Sequence, residues 1–396
     1  MLQGKKIIVG ISASIAAYKA ILLVRLLKKN GAEVRVVMTN AAKDFVSPLV
    51  LSTFSNHPVW IDFHENNTWN NHVELGLWAD AFVIAPATCN TLSKMVNGQC
   101  DNMVIATYLS ARCPVLIAPA MDEDMYKHPS TQQNLRSLQA YGNHVISVNS
   151  GFLASGLEGE GRMAEPEEIL MKLTELVGRD KGWQGKKVLI SAGPTQEAID
   201  PVRYISNYSS GKMGISLAEA CYMLGADVSL VLGPTALKPK FSGIKCIPVL
   251  SAYEMEQACH QEFLDADLTI MAAAVADYRP WQIAPEKIKK KEEEWVIHLE
   301  KTNDILASLG KQKKSNQYVV GFALETENEE AHALEKLQNK HLDAIVLNSL
   351  KVPGAGFGTS TNQVQVYSAK GERHLLSLKS KSQIAEELVD LLQKWI

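Results

Sequence analysis

Residues 186–214, KKVLISAGPTQEAIDPVRYISNYSSGKMG, gather Arg203, Asn207, Ser209, Ser210 and Lys212 behind one apolar run. Cationic and hydroxyl side chains among glycines suit a phosphorylated ligand: the cations neutralise its charge and small residues let backbone N–H groups approach it. Ser209-Ser210-Gly211-Lys212-Met213-Gly214 lacks the first glycine and the final hydroxyl of the GxxxxGK[ST] phosphate loop, so a nucleotide must be held another way. Near the start, Ser12, Ser14, Thr39 and Thr88 each follow an apolar run. Without a GxGxxG fingerprint they favour a single phosphate over a dinucleotide. His72 can move a proton near neutral pH, although a lone histidine at a helix start ordinarily serves structure. Asp277 closes TIMAAAVAD and suits a Mg2+-bound triphosphate, while Ala272, Ala273 and Ala274 leave room for a base or ribose. Lys287, Lys289, Lys290 and Lys291 form a charge run that the following glutamates mark as largely solvated.

Each cluster must be delivered by the end of a strand. Residues 187–191 read as a buried strand, 215–224 as a helix closed by Gly225, and 227–232 as the next strand, a βαβ unit. Ligands bind at the carboxyl edge of such sheets, where helix N-termini offer free N–H groups. The long loop inside this unit is itself a functional signal. The first half repeats the layout, with strands over 6–10, 33–39, 81–85 and 115–118. Three of these end in Gly-Ser or Pro-Ala turns that outline one site. Residues 150–163 are glycine-rich, a flap or a plain loop. Residues 165–177 form an amphipathic helix and 178–182 a polar linker. The expected fold is α/β, with two Rossmann-like or flavodoxin-like doubly wound domains, 1–180 and 185–396, and mainly parallel sheets. Further on, 269–277 reads as a buried strand ending in Asp277, 354–358 as a turn, 363–367 and 374–378 as strands, and 383–395 as a closing helix.

The 396 residues, 46% of them hydrophobic, are enough for two full cores. A net charge of −3 gives no electrostatic case for nucleic acid. Six cysteines without a CxxC pair indicate a reducing compartment, with Cys89, Cys100 and Cys113 as core candidates. No signal-peptide pattern and no apolar run near eighteen residues are present, so the expectation is a cytoplasmic protein.

GISASIAAYK, NHVELGLWAD, APATCNTLSKMVNG and PAMDEDMY in the first half resemble the flavin-dependent cysteine decarboxylases acting on 4′-phosphopantothenoylcysteine or lantibiotic precursor peptides. GPTQEAIDPVRYISNYSSGKMG, AAAVADYRP, APEKIKK and GFALET resemble phosphopantothenate–cysteine ligase. Together the halves are similar to the bifunctional coenzyme A biosynthesis proteins of bacteria. The resemblance implies FMN held by Ser12, Ser14, Thr39 and Thr88, with His72 as the active-site base. Oxidation of the substrate cysteine would then ease loss of CO2. In the second half it implies CTP and Mg2+, because a carboxylate must be activated, here as an acyl-cytidylate, before cysteine attacks. Met271, Ala272, Ala273, Asp277, Lys287, Asn303, Asp304, Ile305, Leu306, Phe322, Lys336 and Lys340 are the implied CTP residues, with Asp277 serving the metal. Asn207 is implied in cysteine attack, Arg203 in substrate binding and Lys287 in closure over the intermediate. Lys336 and Lys340, four apart, would give two prongs from one helix face. The implied assembly has trimeric flavin units and dimeric ligase units, up to a dodecamer.

Two positions depart from the family pattern. Asp122 stands where the PAMN motif has a substrate-holding asparagine, and Ser155 replaces the flap cysteine that protonates the product in many members. A serine hydroxyl is a far weaker acid than a thiol, whose pKa is ~8.5. Ser155 or water, Cys89 or another donor, or impaired reduction remain the alternatives; retained decarboxylation is the favoured expectation, since the flavin and His motifs are intact and Asp122 and Ser155 could act together. The rivals are a ligase whose flavin domain only binds or assembles, and a peptide cysteine decarboxylase.

Overall fold

A computed structural model of the chain describes residues 2–65 (Glu65 by backbone alone), 68–289, 295–325, 327–349, 354, 356 and 359–396. Lys290, Lys291, the glutamates 292–294 and most of the predicted 354–358 turn lie outside the described residues. The chain divides into two compact units, Met1–Arg179 and Asp180–Ile396.

In the first unit, six strands make one parallel sheet in the order Val59–Trp60, Glu33–Met38, Lys6–Ile11, Ala81–Ala87, Val115–Pro119, His144–Val145. Alternate residues of each strand face opposite layers, and both layers are covered. Ile7, Val9 and Ile11 pack in one cluster with Leu23, Leu27, Ile169 and Leu173. Ile8, Phe82 and Ile84 pack in another with Leu92, Ile105 and Leu138. Burial on both faces explains why these strands read as continuous apolar runs. Strand order reverses between Lys6–Ile11 and Ala81–Ala87, the switch point at which ligands of doubly wound sheets bind.

The main sheet of the second unit has eight strands, in the order Lys245–Pro248, Asp227–Leu232, Lys187–Ala192, Leu268–Met271, Tyr318–Glu325, Ala344–Ser349, Thr361–Ser368, Arg373–Ser380. The first six are parallel and the last two antiparallel. Its switch point lies between Lys187–Ala192 and Leu268–Met271. The predicted 269–277 strand is corrected: it ends at Met271. Beyond it the amides turn to new partners, Ala273 to the Ser191 hydroxyl, Ala274 to the Gly193 carbonyl and Ala276 to the Thr195 hydroxyl. The segment therefore crosses over the loop that follows Ala192. That loop is not bare either, since Gln196–Ala198 pairs with Tyr204–Ser206 as an antiparallel hairpin. The following helix is Lys212–Met223, starting at Lys212 rather than 215. Gly211 caps it at φ +74, and a Cβ on Gly214 would stand 2.5 Å from that of Ala192, so this glycine lets helix and strand meet. Among the described residues no helix is long and apolar enough to cross a membrane.

Candidate active sites

At the switch point of the first unit, Ser12 is buried. Its hydroxyl donates to the Pro86 carbonyl at 2.7 Å and accepts from the Thr88 amide at 3.2 Å. This ties the turns after two neighbouring strands together. Ser14 accepts from the Ala16 amide at 3.2 Å and starts the short 3-10 turn Ile15–Ala17. Thr88 caps the helix Cys89–Asn97. Ser12, Ser14, Thr39 and Thr88 line one pocket of about 530 Å3, within the ~300–1,000 Å3 typical of cofactor sites. The Thr39 hydroxyl oxygen is buried without a hydrogen-bond partner among the described residues. A buried donor left unpaired is costly, and a ligand oxygen would satisfy it. The residues present thus fit a phosphorylated flavin. On the far wall Lys94 meets Asp101 at 2.5 Å, and that hydrogen bond holds the Asp101 carboxyl below the usual range.

His72 begins the helix His72–Trp78, whose cap Asn71 accepts from the Glu74 amide at 3.0 Å. The imidazole stands edge-on to Phe63 and Trp69, with centroids 6.0 and 5.8 Å away. Its Nδ1 is buried and lacks a partner among the described residues. The glycine-rich 150–163 stretch is a hairpin, Asn149–Phe152 with Glu158–Arg162. Its Gly161 carbonyl accepts from the Met121 amide at 3.1 Å, fastening the hairpin base beside the turn that carries Asp122. Ser155 is exposed at the tip, where its hydroxyl accepts weakly from the Leu157 amide at 3.5 Å. No hydrogen bond joins Asp122 to Ser155 among the described residues. Neither they nor His72 are among the residues lining the pocket of their own chain. The expectation of three core cysteines is also corrected. Cys100 is exposed, whereas Cys89 and Cys113 are half-buried, with burial pushing the Cys113 thiol up to about 11.

In the second unit, Ser209, Ser210, Lys212, Ala272, Ala273 and Phe322 meet around a cavity of about 140 Å3 at the switch point. Asn348, Asn362 and Lys381, which the sequence did not single out, share its wall. A second group lies on the hairpin side. Asn207 Nδ2 donates to the Ala274 and Val275 carbonyls at 3.2 and 3.1 Å. Arg203 donates to the Ile288 carbonyl at 2.7 Å, placing it beside the Lys287 segment, and stacks over Trp295 at 4.5 Å. Asp200, buried, receives Arg203 at 2.5 Å and the amides of Val202, Arg203 and Ile288. The guanidinium first, and these amides with it, hold the Asp200 carboxyl far below the usual carboxylate range against the effect of burial.

The remaining expected nucleotide residues are not on the cavity wall. Asp277 and Lys287 are exposed, and Met271 is in the core. Asn303 donates to Glu256. Asp304 caps Ile305–Gln312 and meets Lys340 at 2.7 Å; burial works to raise its pKa, but the Lys340 bond and the Ala307 amide carry it net below the ordinary value. Leu306 packs over Gly321. Lys340 caps the helix Glu329–Asn339, its amide donating to the Lys336 carbonyl at 3.1 Å, and Lys336 is paired with Glu325 at 2.5 Å. Among the described residues no group of three or more His, Cys, Asp or Glu is placed to hold a metal. A Mg2+ here would depend mostly on ligand oxygens.

Comparison with known proteins assigns both halves. Residues 1–178 match the Flavoprotein family model, and 183–396 match the DNA/pantothenate metabolism flavoprotein C-terminal domain. The coenzyme A biosynthesis bifunctional protein CoaBC of Haemophilus influenzae is 44% identical over 392 residues, covering 98% of this chain and 97% of its own. A cysteine/cysteine sulfinic acid decarboxylase from an unknown prokaryotic organism is 51% identical over 350 residues, covering 87% of this chain and 98% of its own. The crystal structure of the C-terminal domain of a coenzyme A biosynthesis bifunctional protein CoaBC is 40% identical, covering 55% of this chain and 98% of its own at a TM-score of 0.47.

Proposed function

The chain belongs to the family of bifunctional coenzyme A biosynthesis proteins, and we propose that its two units perform successive steps on one phosphorylated substrate. Both steps of that family, ligation and decarboxylation, are its function. The observation that carries this is a phosphate-type site at the switch point of each sheet.

In the second unit, a carboxylate oxygen of 4′-phosphopantothenate attacks the α-phosphorus of CTP. The bond to the β-phosphate breaks and pyrophosphate leaves. The amine of cysteine then attacks the acyl carbon and CMP departs. Lys287 neutralises charge on the transferring phosphoryl group and Arg203 orients the substrate beside it, while Asp277 would hold a Mg2+, which would supply further charge neutralisation to the triphosphate. The amide nitrogen of Asn207 is occupied by two carbonyls, so its oxygen is the atom that accepts from the incoming amine in this reading.

In the first unit, Ser14, Thr39 and Thr88 hold FMN through its phosphate. When bound, the flavin would supply a two-electron oxidation of the cysteine side chain that makes CO2 loss easy, and would return the two electrons to the decarboxylated product to give the saturated thiol. His72 takes the thiol proton, and its unpaired Nδ1 supports that role. Its absence from the pocket of its own chain supports a homo-oligomer that completes each flavin site between subunits. A ligase whose first unit merely binds or assembles is not favoured, since the flavoprotein family spans that unit and the pocket retains its hydroxyls.

Purified protein given 4′-phosphopantothenate, cysteine and CTP should release pyrophosphate and then CO2, with 4′-phosphopantetheine as the thiol. Colourless protein that yields no CO2 would refute the first half of this reading.

A second reading concerns the decarboxylation substrate. The relative named for cysteine and cysteine sulfinic acid, together with Asp122, supports a free amino acid. The Asp122 carboxylate makes no hydrogen bond among the described residues and can pair with an α-ammonium, a group that 4′-phosphopantothenoylcysteine lacks. Asp122→Asn would then slow CO2 release from free cysteine by about tenfold or more, without slowing it from phosphopantothenoylcysteine. Equal effects on both substrates would remove this reading.

A further inference from the structure

Lys381 is the first residue of the helix Lys381–Trp395 and is only 5% exposed. Three circumstances oppose its charge. Burial strips its hydration, the helix N-terminus behind it is itself positive, and Lys212 stands on the same cavity wall. Burial, and then Lys212, pull its pKa below the ordinary lysine value. Among the described residues its ammonium has one hydrogen bond, to the Gly356 carbonyl at 3.0 Å, and no carboxylate. Residues 350–358, Leu-Lys-Val-Pro-Gly-Ala-Gly-Phe-Gly, contain no acidic side chain. Buried lysines are ordinarily matched by an anion, so this cavity holds cationic charge in need of one.

Two neighbours also await a partner. The Asn348 side-chain oxygen is buried and unpaired among the described residues. Asn362 is 2% exposed, and its oxygen is taken by the Gln363 amide, leaving its N–H2 as a donor.

We propose that Lys381 is a phosphate-binding residue of the ligase unit, closing with Lys212 on the polyphosphate of the nucleotide and on the pyrophosphate it releases. The assignment rests on the ligase reading for the identity of that nucleotide. The polyphosphate is favoured over the phosphomonoester of 4′-phosphopantothenate by the company Lys381 keeps. Ala272, Ala273 and Phe322 share its cavity, whereas Arg203 and Asn207 are tied to the hairpin side. No bond changes at Lys381 itself. It holds charge while the α–β bond breaks, and keeps the two negative groups together until release.

The test is Lys381→Met in the full chain, titrated with inorganic pyrophosphate, CTP, CMP and 4′-phosphopantothenate. Pyrophosphate and CTP should weaken roughly ten- to a hundredfold, as expected for a lost charged hydrogen bond, with CMP affected far less. 4′-Phosphopantothenate should bind as before. The ligand-free melting temperature should hold or rise, since a neutral side chain of similar length relieves an uncompensated buried charge. Unchanged pyrophosphate and CTP affinities in folded variant protein would overturn the proposal, as would a loss confined to 4′-phosphopantothenate. Should the methionine variant not fold, Lys381→Gln, which removes the charge but keeps a polar side chain, decides: affinities for pyrophosphate and CTP equal to wild type overturn the proposal, and a loss of both supports it. Wild-type protein that binds pyrophosphate through Lys381 yet releases none from CTP would sink the ligase reading and leave this site standing.

Discussion

Thr39 sits just past the strand Glu33–Met38 with a hydroxyl that is buried, unpaired among the described residues and on the wall of the flavin-sized pocket. Thr39→Val keeps the shape and deletes the hydroxyl. The ligand-free unit should therefore keep its stability or gain up to ~1 kcal/mol, while FMN binds roughly fivefold or more weakly. Fluorescence titration of apoprotein with FMN reads this, and unchanged affinity would detach Thr39 from the cofactor. Thr39, Ser12, Ser14 and Thr88 were legible in the sequence because each hydroxyl follows an apolar run that ends at a sheet edge. Lys381 was not. In Ser380-Lys381-Ser382-Gln383 the capping box of Ser380 and Gln383 announces a helix start, and a lysine there looks solvated. Only the strands Ala344–Ser349 and Thr361–Ser368, brought alongside from other parts of the chain, show that it is enclosed. Asn348 and Asn362 were hidden for the same reason.

At the scale of elements, the hairpin after Ala192 hangs on Asp200. Its carboxylate binds Arg203 and the amides of Val202, Arg203 and Ile288, so one side chain joins the hairpin to the Lys287 segment. The folded-state pKa of Asp200 is depressed, chiefly by Arg203. Its contribution to stability is thus fully present above the unfolded carboxyl pKa of ~3.9 and is lost as pH falls toward the folded value. Asp200→Asn should lower the melting temperature of the second unit at neutral pH, and the difference from wild type should shrink below about pH 4. It should also raise KM for 4′-phosphopantothenate through misplacement of Arg203. A melting difference that stays constant from pH 7 to pH 3 would show that the ion pair is not what holds the hairpin. The sequence marked this loop as functional by its length, but not its internal pairing. Its short strands alternate no apolar pattern, and the contact to Ile288 spans 88 residues. The strand at Leu268–Met271 was over-extended for a related reason. Ala272 to Ala276 remain small and apolar, and composition does not reveal that their amides have changed partner from a strand to a loop.

At the scale of the whole molecule, each unit has its own apolar clusters, and no residue of the clusters built on Ile7, Val9 and Phe82 recurs in the one built on Leu189, Val319 and Ile345. A duplicated layout was visible in the sequence as the echo of Gly4-Lys5-Lys6 in Gly185-Lys186-Lys187, and both sheets show the same reversal of strand order. Separate cores predict separate failure. Phe82 is fully buried, and a Cβ on Gly10 would lie 2.8 Å from its ring, so ring and glycine are fitted to each other. Phe82→Ala should cost the first unit ~3–5 kcal/mol through lost burial and the cavity left behind. For a unit of this size that is a fall of about 6–20 °C in the transition that releases flavin. The transition that responds to added CTP should stay in place, and CTP-dependent pyrophosphate release below the lowered transition should equal that of wild type. Calorimetry with and without each ligand distinguishes the two. If Phe82→Ala lowers both transitions together, the halves fold as one cooperative body and the separateness of their cores has no thermodynamic meaning.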